Sequence, residues 1–495
     1  MSELPILSIT ILLPLISAVY ITFFISQSKS PNKQIYAMYV AVLCGALTLL
    51  STIYLLIKFD VTKNSFQFVE RYSWFAPFGL EFHVGVDGIS LYFIFLTALL
   101  TLICIIASIF TVKKQIKEFL LCFMLLEAAC IGAFISLNLL LFYLFFEIVL
   151  IPMYIIIGVF GGENRVYAAF KFFIYTFLGS VFFLLALLFI YKTTYSFEMA
   201  KLNILLPSLN IETQKILWLA TFIAFAIKVP IVPFHTWLPD AHVQAPTGGS
   251  MMLAGVLLKL GTYAFLRISL PMFPDACQYF APYVEMLSTF AIIYGSLVAF
   301  AQTDMKKVIA YSSVAHMGFV TGGIFSFTEV GVSGAVFQMI SHGVISSALF
   351  LIVGILYERN HTKQIEMFGG VATVMPKLAV LFMIAMLGSI GLPGTSGFIG
   401  EFMSIFGIFS SYKVLGSIAS LGIVMGAIYM LGLYKNIMFG EINNAQVRKF
   451  KDLDPYEYVA LIPLILLIIY WGIIPSNLLN VINPSVQNLI NIFAK

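Results

Sequence analysis

Long apolar runs, separated by short polar stretches, follow one another along the chain from Leu4 to Ile474. A helix of about 20 apolar residues crosses the ~30 Å hydrocarbon core of a bilayer. The pattern therefore predicts an all-α membrane protein with about 14 transmembrane helices. The predicted spans lie near residues 4–25, 34–57, 86–110, 118–136, 138–160, 167–191, 216–239, 249–270, 283–303, 308–326, 329–357, 376–408, 412–438 and 458–475.

Turn-forming residues interrupt two of these spans at membrane depth. They are Val229–Pro233 in the seventh span and Gly391–Gly397 in the twelfth. Proline has no N–H and clashes with the preceding helical turn, so a break releases backbone polar groups that lipid cannot satisfy. We therefore predict two broken helices whose breaks face the protein interior.

The two breaks lie five spans apart, which fits two five-helix repeats with inverted orientation. This spacing predicts N-terminal helices one to three in residues 1–110 and a first repeat in residues 111–275. The second, inverted repeat then occupies residues 276–440, and a C-terminal loop with the last transmembrane helix occupies residues 441–495. Little residue identity links the repeats, so this division depends on the positions of the breaks.

Composition agrees with lipid as the main solvent, because 61% of residues are apolar and 10% are charged. No basic stripe with interleaved aromatic residues occurs, so we expect no nucleic-acid partner. Basic loop residues mark the inner face of a membrane protein, and with an even number of spans both termini are then predicted outside. The basic residues that fall on one side are Lys29, Lys33, Lys113, Lys114, Lys117, Lys306, Lys307, Arg448, Lys449 and Lys451.

Three ionisable residues stand near the middle of predicted spans: Glu147 in the fifth, Lys228 in the seventh and Lys259 in the eighth. A charge at the bilayer centre costs roughly 2.5 kcal/mol or more, and such residues usually mark ion or proton pathways. The alternative is a static ion pair between Glu147 and Lys228 that fixes helix packing. Because burial disfavours a charged lysine and a nearby carboxylate favours it, movement of Glu147 would switch the protonation of Lys228.

Charges at one depth form a row in the membrane plane, which cannot by itself carry a proton between the two faces. Glu401 follows the break of the twelfth span and lies past the centre, toward the predicted outer face. We predict that Glu401 is the outward branch of the row, with water admitted at the unwound segment. The alternative is a carboxylate neutralised by a neighbouring helix.

Four histidines lie in or beside the predicted helical core: His235 and His242 after the first break, His316 in the tenth span and His342 in the eleventh. We predict His316 and His342 as relays between Lys259 and Glu401, since imidazole exchanges protons near neutral pH. His235 and His242 are secondary candidates, either for gating or for hydrogen bonds to the broken backbone. No HxxxH, HExxH or CxxC spacing occurs, so no metal site and no iron–sulfur cluster is predicted.

Two further buried charges are weaker candidates. Glu127 lies in the fourth span, and Lys171 lies one turn into the sixth. Lys171 either links the row to the inner face or extends its ammonium group to that surface, as long cationic side chains do.

Four stretches resemble the antiporter-like subunits of respiratory complex I: Phe146–Tyr154, Lys228–His242, Ser312–Gly318 and Leu392–Glu401. The resemblance covers about spans four to thirteen. Within the family, the chain is most similar to the member that carries glutamate where two others, chains L and N, typically carry lysine at the end of the twelfth span.

The resemblance implies a subunit of the proton-translocating NADH:quinone oxidoreductase, with protons moving from inside to outside. It implies that Glu147 pairs with Lys228, that Lys259 is the central relay and that Glu401 connects outward. NADH, FMN, iron–sulfur clusters and quinone would be bound in other subunits, with no cofactor in this chain. The implied partners are other membrane-arm subunits, with chains L and N on either side, in an energy-coupling membrane. A bacterial inner membrane is favoured, although the basic inner loops also fit an organelle.

Two rival functions remain at this point. One is a subunit of a multi-subunit cation/proton antiporter that works without electron transfer, since such proteins share the fold and similar buried charges. Glu401 argues mildly against it. The other is a membrane scaffold in which the buried charges only lock helices together.

Overall fold

The computed structural model describes residues 4–23, 31–75, 80–112, 114–442 and 444–493. These residues form 22 α-helices and one β-hairpin. The helices are α1 Ile6–Phe23, α2 Pro31–Lys58, α3 Leu91–Thr111, α4 Ile116–Ile135, α5 Leu139–Ile148, α6 Leu150–Phe160, α7 Arg165–Thr194, α8 Met199–Leu205, α9 Ile211–Lys228, α10 Trp237–Gln244, α11 Thr247–Met252, α12 Leu258–Ala264, α13 Leu270–Met272, α14 Pro274–Phe300, α15 Met305–Phe325, α16 Glu329–Asn360, α17 Val371–Val374, α18 Pro376–Ile390, α19 Ser396–Ser411, α20 Lys413–Met438, α21 Pro455–Ile473 and α22 Ser476–Ile490.

Twelve helical spans in the described residues are long and apolar enough to cross a membrane. They include α5 with α6, and α11 to α13, which two π-helical segments join into one span. The two broken spans complete the predicted set. α9 carries three charged residues, Glu212, Lys215 and Lys228, and α18 has only 15 residues, so neither resembles an ordinary apolar span. The predicted membrane fold is confirmed.

The first break separates α9 from α10, as the proline pattern predicted. The chain turns through residues 229–236, and protein groups satisfy the released backbone. The Ile231 N–H donates to the Ala226 carbonyl at 2.8 Å, and the indole N–H of Trp237 donates to the Ile227 carbonyl at 2.9 Å. The break can therefore lie inside the protein at membrane depth without exposing unpaired groups to lipid.

The second break separates α18 from α19. Gly391 ends α18 with φ +78°, a left-handed conformation that strains residues with a side chain. The Leu392 N–H then donates to the Leu387 carbonyl at 3.0 Å, a bond found in Schellman helix ends. α19 begins at Ser396, whose hydroxyl accepts a 2.8 Å hydrogen bond from Ser341 on α16. The second predicted break is confirmed as well.

The middle of the protein is formed by α15, α16 and the span from α11 to α13. In the apolar window of α16 every residue is buried. Close approach depends on small residues: a Cβ on Gly343 of α16 would lie 2.9 Å from the carbonyl oxygen of Gly255. This contact places α16 directly against the helix that carries Lys259. Large exposed apolar side chains concentrate instead on outer helices such as α2, α7 and α20.

The sequence analysis did not predict a β-hairpin between α2 and α3, with β1 at Gln67–Phe75 and antiparallel β2 at Leu80–Val86. Glu70 of β1 accepts hydrogen bonds from the Leu7 and Ser8 N–H groups at 2.7 and 3.1 Å. A carboxylate at a helix N-terminus satisfies free N–H groups and interacts favourably with the helix dipole. The hairpin thereby fixes the start of α1.

A second unpredicted element is α22, an amphipathic helix that follows the last span. Its Ser485 hydroxyl accepts a 3.0 Å hydrogen bond from the Gly88 N–H, next to the hairpin. Shortly after α22, the ring of Phe493 stacks on Phe327 between α15 and α16, with ring centroids 4.3 Å apart. The hairpin, the α15–α16 turn and α22 therefore lie on one face, which we call the hairpin face.

Of the basic residues used to predict the inner face, Lys29 and Lys113 lie outside the described residues. Lys306 does not extend into a solvated loop. It is 3% exposed, and its Nζ donates to the Ala245 carbonyl at 2.7 Å.

Candidate proton-relay site

Lys228 is the last residue of α9 and lies at the first break, where the free carbonyls of a helix end favour a cation. Its ammonium group contacts Phe146, one residue before Glu147. The Nζ atom donates to the Phe146 carbonyl at 3.3 Å and lies 4.1 Å from the centre of the Phe146 ring. Both groups favour the charged form of this buried lysine.

The direct ion pair between Glu147 and Lys228, implied by the family resemblance, is not formed in this structure. Among the described residues, no carboxylate oxygen lies within 4.0 Å of Lys228 Nζ. Glu147 is half-buried on α5, and its Oε1 atom has no hydrogen-bond partner there. The carboxylate and the ammonium group still interact through space. Phe146, and not Glu147, makes the direct contacts to the ammonium group of Lys228.

Lys259 is fully buried between the two π-helical segments Leu253–Leu257 and Phe265–Ser269. Such segments widen a helix and often occur at functional sites. The Nζ atom contacts the Ala254 carbonyl and lies 2.7 Å from Nδ1 of His342 on α16. A charged Lys259 makes Nδ1 the acceptor, which places the imidazole proton on Nε2.

His342 leads on to His316 of α15, since the centres of the two imidazole rings lie 5.5 Å apart. The Nε2 atom of His342 has no hydrogen-bond partner among the described residues. A cavity of about 10 Å³ lies beside both rings. A space of that size holds about one water molecule, which could bridge polar groups.

Glu401 of α19 forms the other end of this row. Its Oε1 atom lies 2.7 Å from Nδ1 of His316, off the line of a well-aligned hydrogen bond, and accepts a 3.0 Å hydrogen bond from Nε2 of Gln338. The Nε2 atom of His316 lies 3.4 Å from the Ser389 hydroxyl. Glu401 also faces the second break, because a Cβ on Gly391 would lie 3.1 Å from its Oε2.

The structure thus brings four of the six predicted relay residues into one row: Lys259, His342, His316 and Glu401. Lys228 and Glu147 form a second group. α9 and α12 pack tightly, since a Cβ on Gly261 would lie 3.1 Å from Cβ of Lys228. Within the described residues no hydrogen bond joins Lys228 to Lys259. Transfer between the groups therefore needs water or side-chain motion.

His235 lies in the first break and His242 lies on α10, and both are buried. The ring of His242 stacks on Phe350 with centroids 4.4 Å apart, and neither of its nitrogens has a partner among the described residues. His242 therefore does not satisfy the broken backbone. The ring centroids of His235 and Tyr294 lie 5.2 Å apart, and Nδ1 of His235 has no hydrogen-bond partner among the described residues.

Lys171 makes a contact that the sequence analysis did not predict, and its two interpretations stay predictions. Its Nζ forms a 2.6 Å ion pair with Asp240 of α10, so it ties α7 to the chain beyond the first break. Glu127 is 0% exposed on α4, and neither carboxylate oxygen has a hydrogen-bond partner among the described residues. It does not contact the row.

Three buried groups escaped the sequence analysis. Gln338 escaped because an amide carries no charge and the search followed ionisable residues. Arg267 of the eighth span forms an ion pair with Asp87, and its Nε donates to the Tyr263 hydroxyl at 3.1 Å. Glu285 of α14 is 0% exposed. The rule applied to Lys259, that a charge inside a span marks function, would have selected Arg267 and Glu285 too.

The row has the chemistry of a proton relay. Lys259 can pass a proton to Nδ1 of His342, which then releases the proton on Nε2 toward the water-sized cavity. His316 can accept it and pass it to the carboxylate of Glu401. Each group both accepts and donates protons, and the burial of the row keeps bulk water from short-circuiting the transfer.

Comparison with known proteins identifies relatives along the whole chain. The family model described as NADH:quinone oxidoreductase/Mrp antiporter, transmembrane region, matches residues 136–428. The chain is 65% identical to NADH-quinone oxidoreductase subunit M of Rickettsia bellii over 99% of both chains. It is 46% identical to subunit M of Rhodobacter capsulatus, over 98% of this chain and 96% of that one.

Solved structures agree. A chain of respiratory complex I from Thermus thermophilus with bound NADH superposes with a TM-score of 0.87 at 29% identity, over 98% of this chain and 100% of that chain. A chain of the Mrp complex from Dietzia sp. gives a TM-score of 0.88 at 20% identity, over 99% and 98% of the two chains. The second likeness supports the fold alone.

Proposed function

Because the chain belongs to the NADH:quinone oxidoreductase/Mrp antiporter transmembrane family, we propose that it translocates protons as a membrane-arm subunit of NADH:quinone oxidoreductase. It is most like subunit M, also named chain 4. The single observation that carries the mechanism is the continuous row of Lys259, His342, His316 and Glu401. A membrane scaffold needs paired charges, whereas the two imidazole rings inside this row, His342 and His316, each keep a nitrogen without a hydrogen-bond partner among the described residues.

In this proposal Glu147 and Lys228 act as the switch. Approach of the Glu147 carboxylate to Lys228 stabilises the protonated lysine, and withdrawal frees the proton for transfer toward Lys259. Protons enter from the inner face, cross laterally to Glu401 and leave toward the outer face. His235, His242 and Lys171 surround the first break and support entry, since Lys171 and Asp240 connect α7 to α10.

The remaining assignments follow from the relatives and the charge pattern. The chain operates in an energy-coupling membrane, with the bacterial inner membrane favoured by the Rickettsia relatives, and both termini face outside. Antiporter-like chains L and N adjoin it. NADH, FMN, iron–sulfur clusters and quinone are bound elsewhere in the complex, so that quinone reduction there drives proton movement here.

Lys259→Ala tests the proposal in the assembled complex reconstituted into vesicles. We expect the rate of proton uptake to fall at least about tenfold, equivalent to ~1.4 kcal/mol or more in transfer barrier. Lys413→Ala, an exposed lysine at the start of α20, is the matched control and retains full pumping. Full pumping by Lys259→Ala in normally assembled complex would contradict the relay.

The rival antiporter function is favoured by one observation, the matching family model, whose description names the Mrp antiporter beside NADH:quinone oxidoreductase. Purification of the native assembly separates the two functions. Flavin, iron–sulfur absorbance and NADH oxidation in the purified assembly support the respiratory function. Sodium-dependent proton exchange by an assembly that lacks them would support the antiporter.

A further inference from the structure

Glu285 is a buried carboxyl group that the row described above does not use. It lies on α14, is 0% exposed, and neither oxygen has a hydrogen-bond partner among the described residues. A buried polar group without a partner costs free energy, more so when it ionises. Such a group usually has a function or meets water molecules.

Glu285 lies between Glu401 and the hairpin face. A Cβ on Gly322 of α15 would lie 3.2 Å from Oε2 of Glu285. A Cβ on the next residue, Gly323, would lie 3.1 Å from the hydroxyl oxygen of Ser404, which is one turn beyond Glu401 on α19. At these two glycines α15 therefore lies close to Glu285 of α14 and to Ile408 and Ser404 of α19.

A cavity of about 350 Å³ lies at the hairpin face, and its lining includes residues of α14, the helix that carries Glu285. Gln278 and Ala281, which line the cavity, precede Glu285 by seven and four residues and so share its side of α14. Tyr412 lines the same cavity. The carboxyl group thus lies about one helical turn beyond the α14 residues that line this cavity.

Glu285 also has a counterpart in the other predicted repeat. Glu127 lies eleven residues after Ile116, the start of α4, and Glu285 lies eleven residues after Pro274, the start of α14. These helices begin the two predicted five-helix units. Both carboxyl groups are fully buried, and all four of their oxygens lack partners in the described residues. Buried unpartnered carboxyl groups at matching positions are hard to explain as packing accidents.

We propose that Glu285 is a proton-accepting group on the exit route, which takes protons from Glu401 by way of water and the Ser404 region and releases them into the cavity at the hairpin face. The step adds a proton to one carboxylate oxygen of Glu285 and then removes it to cavity water, so charge is conserved at each transfer. This inference rests on the proposed relay, because Glu401 supplies the protons.

Glu285→Gln in the intact complex tests the inference. Glutamine keeps the size of the side chain but cannot accept a proton, so we expect proton uptake per NADH oxidised to fall at least about fivefold. Glu329→Gln, an exposed carboxylate at the start of α16, is the matched control and pumps normally. Infrared difference spectra during turnover should lose one protonated-carboxyl signal in Glu285→Gln and none in the control.

The outcomes separate this inference from the relay itself. Normal pumping by Glu285→Gln, while Lys259→Ala and Glu401→Gln fail to pump, overturns the role of Glu285 and leaves the relay intact. Reduced pumping with an unchanged carboxyl signal also overturns it, since the residue would then act only through structure. If Glu285→Gln does not assemble, Glu285→Asp replaces it, and the same carboxyl signal must shift in frequency or the inference fails.

Discussion

Lys228 at the first helix break and Glu401 at the second are both buried, but their partners differ. Lys228 is held by the carbonyl and ring of Phe146, with no carboxylate within 4.0 Å among the described residues. Glu401 is held by His316 at 2.7 Å and Gln338 at 3.0 Å. The first charge is therefore held loosely, and the second is fixed within a polar row.

The position of each charge relative to its break explains the difference. Lys228 ends α9, where free carbonyls attract a cation, so the helix end itself supplies part of the stabilisation. Glu401 lies in the second turn of α19, where the favourable effect of a helix N-terminus on an anion has weakened. It therefore depends on side-chain partners. A loosely held charge suits a switch, and a fixed charge suits a relay.

Of the substitutions at the two breaks, Glu401→Gln should produce the largest loss of pumping. The amide can still accept from Gln338, so the packing is kept while the proton-accepting carboxylate is lost. We expect proton uptake by assembled complex to fall at least about tenfold, or ~1.4 kcal/mol in transfer barrier. Vesicle pumping assays measure this. Glu212→Gln, a carboxylate with a 75% exposed side chain, serves as control. Pumping within twofold of the parent chain would show that Glu401 is only structural.

Phe146→Leu should have an intermediate effect at the first break. It removes the ring that faces Lys228, an interaction worth about 2 kcal/mol when desolvated. We expect pumping about three- to tenfold lower, with assembly retained. Phe142→Leu is a close control, because Phe142 is equally buried, lies one turn away and also packs against Phe183. Equal losses of pumping in the two variants would show that the effect comes from packing. The Phe146 ring would then have no part in the switch.

Much of this arrangement could be predicted from the sequence. The two helix breaks could be predicted from Val229–Pro233 and Gly391–Gly397, because proline and glycine interrupt a helix at their own positions. The burial of Lys228, Lys259 and Glu401 follows from apolar neighbours on both sides along the chain. Each of these features is encoded within a few residues, so one sequence suffices to predict it.

Features that depend on contacts between distant helices could not be predicted. Phe146 contacts Lys228 across 82 positions of sequence, which no local pattern encodes. Gln338 meets Glu401 across 63 positions of sequence. The hairpin strands were also missed: their alternation is short, and they lie in a polar stretch that resembles a loop beside long apolar spans.

Removal of the ion pair between Lys171 and Asp240 should have the smallest effect on pumping. It tests whether the charges around the first break carry protons or only position helices. The side chains are 20% and 36% exposed, and the pair spans from α7 to α10 across the interrupted α9. Partly exposed pairs typically contribute about 0.2–1 kcal/mol, so a double-mutant cycle of Lys171→Ala and Asp240→Ala should give a coupling in that range. Pumping should fall less than about twofold in either variant, since the pair positions α10 without carrying protons. Thermal unfolding of the complex and vesicle pumping measure the two quantities. A tenfold pumping loss in Lys171→Ala, recovered by Lys171→Arg, would instead show that this cation carries protons on the entry route. The first break would then hold a row of proton-carrying groups, as the second does.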